Sequence, residues 1–357
     1  MTIATRNDRQ DPTTSPIPES RQALSRDSNL PMIQKRPITS GEVNFAQYVN
    51  RLEEKNVTPL WTMMEKMVPP HPNPKATTTS WEYSLMRPAL LEASKIVSAT
   101  EAERRVLVLV NQSMSAPNTT DTIYAGLQIV LPGETAPAHR HRAFALRFII
   151  EGSEGFTAVE GEKIKMSKGD VVLTPSWHWH DHGNEGSDPV IWLDALDLPL
   201  WQFLPINILQ QYAEPRYPST KCVDSDIRIS WDTVARELDA SRLPHAIYHY
   251  KRSDGSDLSR TISAQAERIS AGHTTDVKQA VFSYVYHVYH GHGFSMIKAP
   301  NDTIAKRVEW ASRDTFAVPA HSKVSHTCSS TDEASYLFAV NDIPLIKALT
   351  FVNPPSS

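Results

Sequence analysis

Residues 137–148, PAHRHRAFALRF, carry two histidines one residue apart and then an arginine within an apolar run. On a β-strand the side chains of His139 and His141 point to the same face, so both imidazoles can reach one metal ion. His180, further along the chain, can supply a third imidazole. Three neutral imidazoles without a thiolate suit a first-row divalent ion such as iron, manganese, copper, nickel or zinc. An isolated His-x-His pair, however, is also common among ordinary surface and core histidines.

Arg147 lies six residues after His141, and this even spacing sets the direction of its side chain on a strand. On a continuing strand it faces the same interior as His139 and His141. A buried guanidinium is costly without a partner, and its planar fork matches a carboxylate. The position therefore predicts an arginine that binds the carboxylate of an acidic substrate. The alternative is a structural ion pair with Glu151 or Asp181.

Charge and composition exclude several classes of partner. The 357-residue chain has a formal net charge of −4, so it lacks the basic excess that neutralises phosphates. We therefore expect neither nucleic acid nor a membrane as a partner. Its two cysteines are too few for a disulfide framework, and no apolar stretch is long enough to span a bilayer. These features favour a cytoplasmic protein.

The elements that must position these residues follow from periodicity. An N-terminal stretch rich in Ser, Thr, Pro, Asp and Arg predicts a disordered tail, and apolar residues at helical spacing follow it. From Val106 short apolar runs alternate with turn residues, which predicts an antiparallel barrel or sandwich. The predicted segments are the tail 1–40, a helical region 41–105, a first β unit 106–205, a connector 206–255 and a second β unit 256–352.

The two β units share phrases, such as KGDVVLTPSWHWHDH with SRDTFAVPAHSKVSH and WLDALDLPLWQFL with LFAVNDIPLIKAL. Such pairing predicts an internal duplication. The second unit has no His-x-His pair at the corresponding place, so we expect no metal there. Its histidines at 287, 290 and 292 are predicted to be surface or packing residues.

Two spaced motifs strengthen the metal hypothesis. Gly133 begins a G-x5-H-x-H motif, and Gly169 begins a G-x5-P-x4-H-x3-N motif. Together they resemble the signature of the cupin superfamily, whose fold is a jelly-roll β-barrel. The glutamate usual in the first motif is absent, because residues 145–147 read Ala-Leu-Arg, and Trp177 replaces the usual glycine of the second. The resemblance therefore implies a three-histidine metal site.

A narrower resemblance rests on the segments ERRVLVLVN, LQIVLPGETAPAHRHRAFALRFIIEG, GDVVLTPSWHWHDHGNEG and VIWLDALDLPL. These resemble the gentisate 1,2-dioxygenase family, which includes salicylate and 1-hydroxy-2-naphthoate dioxygenases. The resemblance implies a mainly β bicupin, with two double-stranded β-helix jelly-roll barrels after an N-terminal helical segment. It also implies Fe(II) in the first barrel, ring cleavage by O2 between the carboxyl- and hydroxyl-bearing carbons, and a homotetramer.

The chemistry of the residues agrees with such an enzyme. Three protein ligands leave about three positions on an octahedral ion, enough for a chelating ortho-hydroxy acid and O2. Gentisate, converted to maleylpyruvate, is the expected substrate because its second hydroxyl makes the ring easiest to oxidise. Salicylate, substituted salicylates and 1-hydroxy-2-naphthoate are the alternatives. A non-catalytic bicupin binding protein and a non-oxidative cupin enzyme are more distant ones.

The family resemblance also implies substrate contacts. The residues concerned are Gln128, Arg104, Arg105 and Tyr124. From residue type alone, the glutamine can equally be an ordinary strand amide and either arginine a solvated or helix-terminal residue.

His182 alternates with His180 and shares its strand face. We expect His182 to bond the substrate hydroxyl and accept its proton, with Asp194 as its orienting partner. Support of the metal ligands or plain core packing is the alternative interpretation for His182, and more so for His178.

Overall fold

The computed structural model describes residues 45–349. The predicted disordered tail and the last residues of the second β unit lie outside the described residues. The chain divides after Val68 into two units. No helix within the described part is long and apolar enough to cross a membrane.

The described part of the N-terminal unit, which ends at Val68, is helical, in agreement with the periodicity of its sequence. It consists of α1 (Phe45–Glu53), a single 3₁₀ turn (Leu60–Thr62) and α2 (Met64–Met67). Pro59 directly precedes the turn, where its fixed φ and missing N–H are tolerated.

The larger unit, which begins at Pro69, is mainly β, with short helices between strands. Its helices are α3 (Tyr83–Ile96), α4 (Ala99–Ala102), α5 (Leu198–Trp201), α6 (Trp231–Ala240) and α7 (Ile343–Leu349). Its first strands are β1 (Thr79–Trp81), β2 (Val106–Val108), β3 (Tyr124–Val130), β4 (Thr135–His141), β5 (Ala145–Glu151), β6 (Gly155–Val159), β7 (Glu162–Lys165), β8 (Val171–Thr174), β9 (His180–Asn184) and β10 (Val190–Leu196). Then follow β11 (Leu209–Gln211), β12 (Thr220–Cys222), β13 (Arg228–Ile229), β14 (His245–His249), β15 (Ser263–Ile269) and β16 (Lys278–Gln279). The last are β17 (Tyr284–His290), β18 (His292–Lys298), β19 (Lys306–Ala311), β20 (Thr315–Val318), β21 (Lys323–Cys328) and β22 (Ser335–Asn341).

Four sheets form two barrels. The first barrel combines the sheets β13-β8-β5-β10-β3-β2 and β11-β4-β9-β6-β7-β12, and the second combines β1-β20-β17-β22-β15-β14 and β16-β21-β18-β19. The predicted bicupin architecture is confirmed. The stretch predicted as a connector contributes β11, β12 and β13 to the first barrel and β14 to the second. The strand β1 reaches the second barrel from the predicted helical region.

Strand alternation separates two apolar regions. Leu146 and Phe148 of β5 point outward into a core shared with the second barrel, where Phe148 stacks on Phe338 with ring centroids 4.2 Å apart. Arg147 and Ile149 point the opposite way, into the first barrel. An inner apolar cluster closes that interior on one side; its members are Val130, Ile149, Met166, Val172, Val190 and Trp192. The remaining interior is polar and holds the predicted site.

Truncation of Phe148 tests the core between the barrels. Because Phe148 is 1% exposed and stacked, Phe148→Ala is expected to lower the free energy of unfolding by about 3–5 kcal/mol. Phe203, which is 82% exposed, provides the matched control, and Phe203→Ala is expected to change stability by no more than about 0.5 kcal/mol. Chemical denaturation of both variants measures the difference. Equal stability losses would contradict the assignment of this core.

Candidate active site

Three histidines come together inside the first barrel. His139 and His141 lie on β4 and His180 on the adjacent β9, where the register places His139 opposite His180. One ligand atom from each lies within 4.8 Å of the others. Among residues 45–349 this is the only group of three or more such side chains found with that spacing.

Hydrogen bonds set the tautomers of two of these rings. His141 Nδ1 donates to the carbonyl oxygen of Ala143 at 2.8 Å, and His180 Nδ1 donates to that of His178 at 2.9 Å. In a neutral imidazole the other nitrogen, Nε2, then carries a lone pair. Nε2 of His180 is buried and has no hydrogen-bond partner among the described residues. These bare nitrogens fit a metal ion, whose ligating histidines commonly donate the second ring N–H to protein oxygens.

The three imidazoles are neutral at neutral pH. Burial lowers the pKa of each, that of His141 to about 4. The positive charges of Arg104 and Arg147 add to this effect at His139. Neutral imidazole is the form that binds a metal.

Arg147 is buried and paired, with a partner that differs from those expected. Its Nε lies 3.1 Å from Oδ1 of Asp194, and its Nη1 donates to the hydroxyl of Thr174. The reason is register, since β5 and β10 place Arg147 directly opposite Asp194. Glu151 and Asp181, the partners considered from sequence, pair with other arginines. These contacts use only part of the five N–H donors of the guanidinium.

The adjacent arginines Arg104 and Arg105 diverge. Arg104 donates to the carbonyl of Pro137 at 2.9 Å, and burial together with the charge of Arg147 lowers its pKa to about 9. Arg105 pairs with Glu134 and donates to the carbonyl of Ser94 near the end of α3. The structure therefore gives Arg105 a structural contact at the end of α3, which was its alternative interpretation, while its substrate contact stays a prediction.

Two residues of β3 face the same interior. Gln128 is 1% exposed, and its Nε2 has no hydrogen-bond partner within the described part of the chain. Tyr124 is buried, and burial together with the charge of Asp194 raises the pKa of its hydroxyl. A Cβ at Gly126 would lie 2.7 Å from the Tyr124 hydroxyl oxygen, so the phenol ring covers this glycine.

His182 also points inward, with a different partner from the one expected. Its Nδ1 lies 2.9 Å from Oγ1 of Thr157, and its Nε2 is buried without a partner among the described residues. The predicted His182–Asp194 hydrogen bond is not formed, because the one ring nitrogen of His182 that has a partner contacts Thr157, while Asp194 contacts Arg147. Burial keeps the pKa of His182 well below its usual value. His178 is exposed.

Sequence reasoning missed Thr157 and Thr174, because a threonine in a β-strand carries no signal of its contacts. At Trp177, by contrast, the sequence shows a departure from the motif that the structure explains. This tryptophan stands where the cupin motif has glycine, and its φ of 67° lies in the left-handed region that favours glycine. The guanidinium groups of Arg140 and Arg142 stack on its ring at 4.5 and 4.3 Å.

The second barrel repeats this framework with other side chains at the ligand positions. Trp177 N donates to His141 O at 2.8 Å, and His321 N donates to Ala280 O at 2.9 Å, so Ala280 stands where His141 does. By the same correspondence Lys278 replaces His139. Of the three histidines predicted to be surface or packing residues, His287 is buried against Thr315, whereas His290 and His292 are exposed.

Comparisons with known proteins agree with this geometry. Residues 126–196 match the cupin domain family. The chain is 31% identical over 333 residues to a gentisate 1,2-dioxygenase of Ralstonia sp, covering 85% of this chain and 92% of that protein. It is 30% identical to a 5-aminosalicylate 1,2-dioxygenase of Comamonas sp, covering 82% of this chain and 85% of that one.

A solved structure matches across both barrels. It is salicylate 1,2-dioxygenase from Pseudoaminobacter salicylatoxidans, in adducts with gentisate, with a TM-score of 0.78 and 26% identity. The match covers 90% of this chain and 95% of that one. The chain belongs to the gentisate 1,2-dioxygenase family of ring-cleaving dioxygenases.

Proposed function

We propose that the protein is a non-haem Fe(II) enzyme that opens the ring of an ortho-hydroxy aromatic acid, with gentisate as substrate and maleylpyruvate as product. Both atoms of O2 enter the product, between the carboxyl- and hydroxyl-bearing carbons. The observation that carries the proposal is one barrel interior in which three neutral imidazoles lie within reach of the charges of Arg104 and Arg147. Such a site suits a metal and an acid together.

His139, His141 and His180 would hold the iron. Their donor set, three neutral nitrogens with no protein carboxylate among them, leaves room for further ligands. When bound, Fe(II) supplies positions where a phenolate, a carboxylate and O2 meet, and it passes electrons between ring and dioxygen.

The chain's own side chains bind and orient the acid. Arg147, fixed by Asp194 and Thr174, presents its remaining N–H groups to the substrate carboxylate, and Arg104 adds positive charge. Neutral His182 offers a buried Nε2 that can accept a hydrogen bond from the phenol, and the negative charge of the phenolate would offset the burial that lowers the pKa of His182 when it takes the proton. Tyr124 forms part of the wall on β3. The polar groups thus recognise the two oxygen functions of an ortho-hydroxy acid.

The names of the relatives favour gentisate among such acids. One relative acts on gentisate, another on 5-aminosalicylate, and the salicylate enzyme is known in adducts with gentisate. Gentisate and 5-aminosalicylate both carry an electron-donating group para to the hydroxyl, which eases oxidation of the ring. Salicylate, substituted salicylates and 1-hydroxy-2-naphthoate form the second choice.

Oxygen uptake tests the function directly. Anaerobically purified, Fe(II)-loaded protein is offered gentisate, salicylate and 1-hydroxy-2-naphthoate separately, while dissolved O2 and absorbance are recorded. We expect one O2 consumed per gentisate, with ¹⁸O2 labelling both new oxygen atoms of the product. Turnover of gentisate without O2 consumption would point to non-oxidative chemistry. No turnover of any of the three acids would overturn the proposed substrate class.

The unpaired amide of Gln128 predicts a substrate contact. Gln128→Leu keeps the size of the side chain but removes its hydrogen bond, so we expect kcat/KM for gentisate to fall about 10-fold, as loss of about 1.4 kcal/mol implies. Gln112→Leu, at an exposed position, is the matched control. Steady-state kinetics at verified iron content measures both. Wild-type kcat/KM in the Gln128 variant would show that this glutamine is an ordinary strand amide.

We further propose a homotetramer in the cytoplasm, as the family resemblance and the composition favour. Light scattering on the purified protein tests the oligomeric state.

A further inference from the structure

A buried carboxylate lies beside the loop that follows the metal-binding strand β4. Asp197, just after β10, is 2% exposed. Its Oδ1 accepts hydrogen bonds from Phe144 N and from Trp201 Nε1, both at 2.9 Å. Its Oδ2 accepts a hydrogen bond from the Thr261 hydroxyl at 2.5 Å. Both carboxylate oxygens are therefore held in a fixed orientation.

One peptide group connects this carboxylate to a predicted metal ligand. The N–H that Asp197 accepts and the carbonyl that accepts His141 Nδ1 belong to the same peptide, between Ala143 and Phe144. Because a peptide group is planar, fixing its N–H also fixes the direction of its carbonyl oxygen. Hydrogen bonding at the N–H also polarises the group and strengthens the carbonyl as an acceptor. Asp197 thereby acts on the orientation and basicity of His141.

The second barrel completes this arrangement. Thr261 precedes β15, a strand of the second barrel, and its hydroxyl reaches across to Asp197 in the first. The barrel that lacks the three-histidine group thus has a contact that leads, through Asp197 and one peptide, to His141.

The reciprocal contact provides an internal control. Thr122, before β3 of the first barrel, donates to Oδ2 of Asp342 at 2.6 Å, and Ser283 N donates to its Oδ1 at 2.8 Å. The position that corresponds to His141 in that barrel is Ala280, which has no imidazole. The two threonine–aspartate contacts are therefore alike in structure, but only one of them leads to a histidine.

We propose that Asp197, held by Thr261 of the second barrel, is a positioning residue that orients His141 and sets the affinity of the three-histidine site for its metal. The inference rests on the metal site of the proposed function but not on its substrate. Removal of partners that orient ligating histidines typically weakens metal binding 10- to 100-fold, which gives the expected scale.

Metal binding to the full-length, metal-free protein tests this role, with Co(II) as the probe because its visible absorption reports ligand geometry. In Thr261→Val we expect the Co(II) dissociation constant to rise about 10-fold and the visible band to change. Thr122→Val is expected to lose a similar amount of thermal stability while its Co(II) affinity stays within about twofold of wild type. Thr261→Ser, which keeps the hydroxyl, should restore wild-type affinity and spectrum.

Three outcomes would overturn the inference. One is wild-type Co(II) affinity and spectrum in Thr261→Val. Another is equal loss of affinity in Thr261→Val and Thr122→Val, which would indicate general destabilisation. The third is failure of Thr261→Ser to restore binding. Thr261→Ala replaces the valine variant if the latter does not fold. Absence of Co(II) binding by the wild-type protein would instead reject the metal site on which the proposed function depends.

Discussion

His180→Ala is expected to abolish stoichiometric iron binding and, with it, ring cleavage. His180 is fully buried, its Nδ1 is held by the carbonyl of His178, and its bare Nε2 has no partner among the described residues. Removing it leaves two imidazoles, too few to retain a divalent ion through gel filtration. Iron per protein after anaerobic loading and desalting measures the effect, and we expect a fall from about one to below about 0.1.

His178→Ala is the control for this experiment. His178 is exposed, and only its backbone carbonyl contacts His180, so the substitution leaves that hydrogen bond in place. We expect wild-type iron content in this variant. Stoichiometric iron in His180→Ala, or equal loss in both variants, would contradict the three-histidine site.

Arg147→Gln is expected to leave iron content unchanged and to reduce kcat/KM for gentisate about 10- to 150-fold. The range corresponds to the roughly 1.5–3 kcal/mol of a hydrogen bond to a charged group. Loss of the guanidinium also leaves Asp194 buried without its ion-pair partner, which destabilises the fold. Steady-state kinetics and thermal unfolding, measured on the same iron-loaded preparation, separate these two effects.

The double variant Arg147→Gln/Asp194→Asn distinguishes substrate binding from a purely structural ion pair. Two neutral amides replace the charged pair, so the buried lone charge is removed and stability should recover. We expect turnover to remain low, because the group that binds the carboxylate is still missing. Recovery of wild-type turnover in the double variant would show that Arg147 serves only to neutralise Asp194.

Local spacing was enough to predict that the two histidines of β4 face the same way, and the structure places His139 and His141 in one interior. Arg147 faces that interior too, but not for the predicted reason, because β4 ends at His141 and Arg147 lies on β5 in the other sheet of the barrel. Contacts between strands required more than local spacing. Arg147 pairs with Asp194 because of the β5–β10 register, which depends on loops and on a register shift that no local pattern encodes.

The different contacts of Arg104 and Arg105 could not be predicted either. Both match the same short element in the sequence, and their partners depend on the bend between α4 and β2, which that element does not encode. The extent of the first barrel was also hidden. Residues 206–229 show no strong alternation, because β11 to β13, the strands in this range, are two or three residues long.

The strand pairing joins segments that are far apart in the chain. The strand β4, with two of the three histidines, pairs with β11, and β8 pairs with β13. The second barrel in turn takes β1 from residues 79–81, which precede the first barrel in the chain. A fragment ending at residue 205 would therefore expose the backbone edge of β4, and a fragment beginning at 256 would lack both β1 and β14 of the second barrel. We therefore expect that neither predicted β unit folds by itself. Both barrels should unfold together in a single cooperative transition.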